Sequence, residues 1–130
     1  MQNHQLKFRR LDGRFAVCRL PADAKFPEWA LVGAFTSVTR SADEFSIVCL
    51  ESGVPPDVQA ERPWVGFKLE GPFPFSQTGI LASFISPLAE SAVPIFALST
   101  YDTDYVLVKE GYAGVALSAL QAAGHQLLGG

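Results

Sequence analysis

The segment VPIFALSTYDTDYVLVKE, residues 93–110, places an apolar run on each side of a short polar segment, STYDTD. The apolar runs are rich in β-branched and aromatic residues, which favour strands, whereas hydroxyl and carboxylate side chains favour turns. The pattern therefore predicts a β-hairpin that turns across residues 99–104. Asp102 and Asp104 lie one residue apart in this turn. The same segment is thus also a candidate binding site.

Two helices and two further strands are predicted around the hairpin. Residues 64–71, WVGFKLEG, predict a strand by alternation and aromatic content. Helical stripes of apolar residues recur over residues 80–88 and again over 113–120. Residues 125–128, HQLL, predict a short final strand. The second half of the chain therefore follows the order β-α-β-β-α-β, that of a ferredoxin-like sandwich with two helices on one face of an antiparallel sheet.

The first half of the chain follows the same plan in a shortened form. Residues 18–20, CRL, match FKL of the second half, and residues 44–48, EFSIV, match residues 104–108, DYVLV. The spacing between the two segments is shorter in the first half by about three helical turns, so most of one helix is lost. We therefore predict an α+β fold of two ferredoxin-like units in tandem, a degenerate one over residues 1–60 and a complete one over 61–130. Two unrelated β-rich segments are the alternative.

Composition and charge narrow the classes of partner. The chain has 130 residues, of which 48% are hydrophobic, and a formal net charge of −3. This apolar content is sufficient for a core, and the acidic balance argues against a nucleic-acid partner, which would require a clustered basic face. No apolar stretch has the length of a signal peptide or of a membrane span. We expect a cytoplasmic protein with neither a nucleic-acid nor a membrane partner.

The sequence predicts neither a metal site nor a catalytic site. Cys18 and Cys49 are isolated in apolar runs, which favours buried thiols over a disulfide or metal ligands. His4 and His125 lie near opposite ends of the chain, so no nucleophile has an evident base beside it. The glycine-rich motifs that cradle phosphates are also absent from the sequence. We expect no enzymatic activity, no cofactor and no metal.

The strongest candidate binding site combines the hairpin with the loop before the first helix of the second half. Residues 75–79, FSQTG, open that helix, whose free amides favour an anion such as a carboxylate; Ser76 and Thr78 are its candidate N-caps. The carboxylates of Asp102 and Asp104 favour a cation. An anion site beside a cation site suits a zwitterion such as an amino acid. Taken alone, each segment is equally explained by an ordinary cap or a plain turn.

The segment GPFPFSQTGILASFISPLAES, residues 71–91, together with the hairpin segment resembles the ACT domain. The type is that of small tandem, stand-alone bacterial ACT proteins and of the ACT units in the cytosolic arginine sensor. The hairpin is the most specific part, and SADEFSIVCLE, residues 41–51, resembles the matching segment of the preceding half. The resemblance implies a regulatory module that is usually selective for amino acids and usually paired, so a homodimer is expected.

The resemblance also implies which residues contact the ligand. In such modules the ligand lies at an interface between two ACT units, against the loop before the first helix and the end of the second strand. The implied ligand-binding residues are Ser76, Gln77, Thr78, Gly79 and Ile80 in the loop and Ser99, Thr100, Tyr101, Asp102 and Asp104 at the strand end. Asp104 is the better counterpart of the carboxylate that contacts the cationic side chain in the arginine sensor. The loop here has no clear acidic partner for a guanidinium, which argues against arginine itself.

We therefore predict a non-catalytic regulatory protein that binds an amino acid or a related small metabolite. Amides of the helix would bind the carboxylate of the ligand, and Asp102 or Asp104 its ammonium or side-chain cation. The alternative is a protein-interaction module that regulates a partner enzyme or regulator through the same surface without binding a ligand.

Overall fold

The computed structural model describes residues 4–129, and within them the chain forms eight β-strands and two α-helices. The strands are β1 (Lys7–Arg10), β2 (Phe15–Leu20), β3 (Ser37–Arg40), β4 (Phe45–Leu50), β5 (Ala60–Leu69), β6 (Phe96–Ser99), β7 (Asp104–Lys109) and β8 (Gln126–Leu128). The helices are α1 (Ile80–Glu90) and α2 (Ala113–Ala122).

The chain divides into two compact units. The first unit is Gly13–Trp64, and the second contains the described residues of Met1–Asp12 and of Val65–Gly130. This division differs from the predicted boundary between residues 60 and 61 in two ways. The N-terminal strand β1 belongs to the second unit because it pairs with β5 and β8. Strand β5 also continues through the boundary, so the first unit takes its first half and the second unit its second half.

The second unit contains the predicted β-α-β-β-α-β order, formed by β5, α1, β6, β7, α2 and β8. In its sheet β6 pairs antiparallel with β7, and β7 pairs with β5. Strand β1 lies between β5 and β8, antiparallel to β5 and parallel to β8. The ferredoxin-like prediction is confirmed for this unit, with β1 as an added strand that separates the first and last strands of the motif.

The core of the second unit lies between this sheet and the two helices. The predicted stripe of α1 is confirmed, since Ile80, Phe84 and Leu88 are buried. The ring of Phe8 packs edge-to-face against those of Phe67 and Phe84, with centroid separations of 5.5 and 5.2 Å. Burying each such side chain contributes about 1.5–3 kcal/mol. The remaining buried members of the core are Leu6, Val65, Leu69, Val93, Val106, Val108, Ala116 and Leu120.

A buried histidine completes the hydrogen bonding of α1. Pro87 lies inside the helix and has no N–H, so it cannot donate to the carbonyl of Ser83 four residues earlier. The Nε2 of His125 donates to that carbonyl at 2.9 Å, and its Nδ1 accepts the backbone N–H of Leu6 at 3.0 Å. Because Nδ1 accepts a hydrogen bond, the ring is neutral and carries its proton on Nε2. His125 therefore joins α1 to the segment that precedes β1.

The first unit has the same strand order with almost no helix. Its strands are β2, β3, β4 and the first half of β5, in the sheet order β3-β4-β2-β5, and every pair is antiparallel. One 3-10 helix, Glu28–Leu31, lies between β2 and β3, and another, Glu51–Gly53, lies between β4 and β5. A ferredoxin-like unit has an α-helix at each of these two places. The sheet of the motif is therefore retained while both of its helices are reduced to single turns.

The two cysteines lie in the core of the first unit, on β2 and β4. Cys18 and Cys49 are both buried free thiols, as the sequence predicted. A hydrogen bond between the two thiols lowers the pKa of Cys18 and raises the pKa of Cys49, which burial raises further. The pair therefore packs as small apolar side chains.

Candidate ligand-binding site

A cavity of about 180 Å³ lies in the second unit between the loop that follows β5 and the hairpin of β6 and β7. This volume is below the range of about 300–1,000 Å³ that is usual for drug-sized ligands, so it suits a small metabolite or one end of it. The loop contributes Phe73, Pro74, Phe75, Gln77 and the first helical residue Ile80. The hairpin contributes every residue from Ser99 to Asp104. We refer to this space as the loop–hairpin cavity.

Most of the predicted site residues line this cavity. The loop and strand-end residues that do so are Gln77, Ile80, Ser99, Thr100, Tyr101, Asp102 and Asp104. Ser76, Thr78 and Gly79 lie in the same loop and are not part of the lining. Phe73, Pro74, Phe75 and Thr103 line the cavity although the predicted ligand-binding residues omit them. The alternation of proline and phenylalanine before the helix was the available signal for the first three.

The predicted capping of α1 is wrong. Gly79 is the N-cap residue, and no side chain caps the helix by a hydrogen bond, so neither Ser76 nor Thr78 has this role. The backbone of Gly79 has a φ of 81°, in the left-handed region that glycine adopts without steric cost. The carbonyl of Thr78 accepts a hydrogen bond from Nε2 of His4 at 3.1 Å. The first amides of α1 therefore have no side-chain acceptor.

Hydrogen bonds hold the hairpin against the end of β5 and the loop that follows it. The hydroxyl of Thr103, which is buried, donates to the carbonyl of Leu69 at 2.7 Å. The backbone N–H of Phe73 donates to the carbonyl of Asp102 at 2.8 Å. Within the turn, the N–H of Thr100 donates to the carbonyl of Thr103 at 2.8 Å. The two walls of the cavity are thus joined directly, and Thr103 positions the turn that carries Asp102.

The two carboxylates of the hairpin differ in their surroundings. Asp104 is half-buried, and its Oδ1 accepts a hydrogen bond from the hydroxyl of Ser99, its partner across the two strands. Asp102 is exposed at the turn. Among the residues that the structure describes, neither carboxylate forms an ion pair. The hairpin wall therefore presents two acceptor groups whose negative charge no arginine or lysine neutralises.

Two aromatic rings flank the opening of the cavity. The side chains of Phe75 and Tyr101 are 77% and 80% exposed, and their rings pack edge-to-face with centroids 5.0 Å apart. Phe75 belongs to the loop and Tyr101 to the hairpin, so the pair bridges the two walls. Large exposed aromatic side chains in a cluster are typical of binding surfaces.

Over residues 4–129, no three His, Cys, Asp or Glu side chains come together as a candidate metal site. No helix in that part of the chain has the length and apolar character needed to cross a membrane.

Sequence comparison relates both parts of the chain to known proteins. A sequence model described as ACT domain matches residues 59–122, and a model of an N-terminal domain matches residues 13–57. The cytosolic arginine sensor for mTORC1 subunit 1 of Bos taurus is 32% identical over an alignment of 97 residues, and the match covers 66% of this chain and 30% of that protein. The chain therefore spans about 30% of the length of this curated relative.

Solved structures extend the comparison to the whole fold. A crystal structure of a protein from Agrobacterium tumefaciens has 43% sequence identity and a TM-score of 0.90, and the match covers 96% of this chain and 93% of that one. The regulatory subunit of aspartate kinase from Thermus flavus has 13% identity and a TM-score of 0.55, covering 92% of this chain and 94% of that one, so it shows the fold alone. The matching sequence model and the β-α-β-β-α-β unit, most of which it covers, together show that residues 59–122 of this chain belong to the ACT domain family.

Proposed function

We propose that this protein is a non-catalytic regulatory protein that binds an amino acid or a related small metabolite in the loop–hairpin cavity. The observation that carries the proposal is the cavity itself, which combines two carboxylates outside any ion pair with helix amides that no side chain caps. It lies within the segment that matches the ACT domain. The arginine sensor among the relatives supports an amino acid as the class of ligand.

The polarity of the cavity suggests how a zwitterion would bind. The first amides of α1 would donate hydrogen bonds to its carboxylate, because the amino end of a helix carries a partial positive charge. Asp102 or Asp104 would accept hydrogen bonds from its ammonium group or its side-chain cation. The predicted loop residues Ser76, Thr78 and Gly79 would then contribute through the backbone of the loop rather than by lining the cavity with side chains.

The proposal also covers the two units of the chain and the pairing of two chains. We interpret the first unit as a degenerate ACT-like unit, since it keeps the strand order of the motif and loses both helices. We also propose that two chains pair as a homodimer in the cytoplasm, which would close the open side of the cavity. The name of the arginine sensor, a cytosolic protein, supports this location.

A second candidate function is an interaction module that binds a partner enzyme or regulator without a small ligand. The exposed pair of Phe75 and Tyr101 favours it, because clustered exposed aromatic side chains are enriched at protein interfaces. Co-purification of a stable partner, with no stabilisation by any small metabolite, would support this alternative.

Thermal unfolding in the presence of each of the twenty amino acids tests the first proposal. A ligand at 100 times its Kd should stabilise the protein by about 2.7 kcal/mol, which raises Tm by several degrees. The variant Asp104→Asn keeps the shape of the side chain but loses its charge, so it should lose most of that increase. Asp57→Asn, an exposed carboxylate of the first unit, is the matched control and should keep it. An equal response in the two variants would contradict the assigned role of Asp104.

A further inference from the structure

The hairpins of the two units have equivalent places in their sheets. The second and third strands of the motif are β3 and β4 in the first unit. In the second unit they are β6 and β7. The last cross-strand pair before each turn is Arg40 with Phe45 in the first unit and Ser99 with Asp104 in the second. Arg40 and Phe45 of the first unit are therefore the structural counterparts of Ser99 and Asp104, which line the loop–hairpin cavity in the second unit.

The guanidinium of Arg40 bridges the hairpin and the loop that follows β2. Its Nη1 donates to the carbonyl of Ala22, and its Nη2 donates to the carbonyl of Ala24 at 2.6 Å. Its central carbon lies 4.1 Å from the centroid of the Phe45 ring. Two carbonyl acceptors and an aromatic face are the surroundings that a planar, delocalised cation prefers.

A second feature supports the equivalence of the two places. In the first unit the loop residue Phe26 lies against the hairpin residue Phe45, with ring centroids 6.3 Å apart. In the second unit the loop residue Phe75 lies against the hairpin residue Tyr101, with centroids 5.0 Å apart. Each unit thus has an aromatic contact between the loop after its first strand and its hairpin. The space beside this contact is open in the second unit and holds the side chain of Arg40 in the first.

We propose that the first unit contains the counterpart of the loop–hairpin cavity and that Arg40 occupies it as an intramolecular ligand. The site is formed by the carbonyls of Ala22 and Ala24 and the ring of Phe45, and it takes a guanidinium-type cation. Of these two equivalent places, only the loop–hairpin cavity of the second unit is then open to a ligand. The proposal concerns the first unit, so it holds whether or not an amino acid binds to the second.

Truncation of Arg40 and replacement of its guanidinium in solution test the proposal. Arg40→Ala should lower Tm by about 4 °C, because both hydrogen bonds and the ring contact are lost. Methylguanidinium chloride at millimolar concentration should restore most of this loss, relative to sodium chloride at the same ionic strength. In an NMR titration of the variant, saturable shifts should appear at the amides of Ala22, Ala24 and Phe45 and be absent there in the wild type.

Arg19→Ala is the matched control for this experiment. Arg19 is also an exposed arginine of the first unit, and its Nη2 donates to the carbonyl of Asp43 at 3.2 Å. Methylguanidinium should not restore the stability of this variant. If the cation also binds the carboxylates of the second unit, its shifts there will be the same in every variant, which separates the two sites.

Several outcomes would overturn the proposal. A folded Arg40→Ala protein whose Tm and first-unit amides do not respond to methylguanidinium would show that Arg40 is only a surface contact. An equal response of Arg40→Ala and Arg19→Ala would show a general salt effect. If Arg40→Ala fails to fold, the neutral and shorter Arg40→Gln is subjected to the same titration, and it either responds at Ala22 and Ala24 or refutes the site.

Discussion

At the scale of single residues, His125 supplies the hydrogen-bond donor that a proline removes from α1. Pro87 leaves the carbonyl of Ser83 without a donor inside α1, and Nε2 of His125 provides one. The same ring accepts the N–H of Leu6 and is 4% exposed. The sequence does not predict this role, because Leu6 and Ser83 are distant from His125 along the chain. Its role in the fold is structural.

Replacing this histidine should therefore destabilise the second unit. His125→Phe keeps an aromatic ring beside Phe84 but leaves the buried Leu6 N–H and the partly buried Ser83 carbonyl without their partners. We expect the free energy of unfolding to fall by about 2–4 kcal/mol, since each buried unpaired group costs about 1–3 kcal/mol. Urea denaturation followed by circular dichroism measures this loss.

His4→Phe is the control for the same measurement. His4 also donates to a backbone carbonyl, that of Thr78, but this hydrogen bond is exposed to solvent. The loss should be about 1 kcal/mol or less, because water replaces the missing donor. Equal losses in the two variants would mean that the burial of His125 is not what makes its hydrogen bonds important.

At the scale of elements, the loop after β5 and the hairpin act as one structure. The sequence predicted both, and it placed Ser76 and Thr78 as caps because hydroxyl side chains before a helical stripe are the usual signal. The observed loop instead reaches α1 through Gly79 in a left-handed conformation. It is held by the hydrogen bond from Phe73 to the carbonyl of Asp102, a contact between segments that local patterns do not describe.

A glycine in this loop gives a direct test of that contact. A Cβ added to Gly71 would lie 2.8 Å from the carbonyl oxygen of Asp102 and 3.1 Å from the backbone nitrogen of Phe73. Gly71→Ala should therefore move the loop away from the hairpin, lower the stability by about 1 kcal/mol and weaken the ligand-induced rise in Tm. Thermal unfolding with and without the amino acid identified in the screen measures both effects.

Gly114→Ala provides a control with the opposite sign. Nothing lies within 4 Å of a Cβ added to Gly114, which is in α2. Alanine is preferred to glycine in a helix, so this variant should be more stable by about 0.5 kcal/mol and keep its response to the ligand. A Gly71→Ala protein that behaves like Gly114→Ala would show that the close approach of loop and hairpin is not required for binding.

At the scale of the whole molecule, the chain consists of two units with one strand order and unequal helix content. The second unit buries a core under two helices, and its cavity opens between two exposed aromatic rings. The proposed homodimer would place a second chain at this open side of the cavity.

The proposed homodimer predicts a specific effect of the aromatic pair. Phe75→Ser should raise the dimer dissociation constant by a factor of ten or more, about 1.4 kcal/mol, because a well-packed aromatic side chain in an interface contributes at least that much. Sedimentation equilibrium over a range of protein concentrations measures it. Leu31→Ser, at a leucine of the first unit that is 65% exposed, should leave the constant unchanged. A monomeric wild type, or equal effects of the two changes, would contradict this interface.

The sequence by itself determined the features that depend on neighbours along the chain. Alternation and helical stripes placed β5, α1, the hairpin, α2 and β8, because these periods reflect which face of each element is buried. The polar turn also located most of the residues that line the loop–hairpin cavity. Burial of Cys18 and Cys49 followed from the apolar runs around them.

Only the tertiary structure decided the features that depend on residues distant in sequence. Strand β1 joins the second unit because Phe8 pairs with Leu69, and no local pattern specifies such a pairing. The same holds for the bond from His125 to Ser83 and for the place of Arg40 beside Ala24. The sequence around each of these residues carries no pattern that would predict the contact. Their proximity arises only when the sheet brings the segments together.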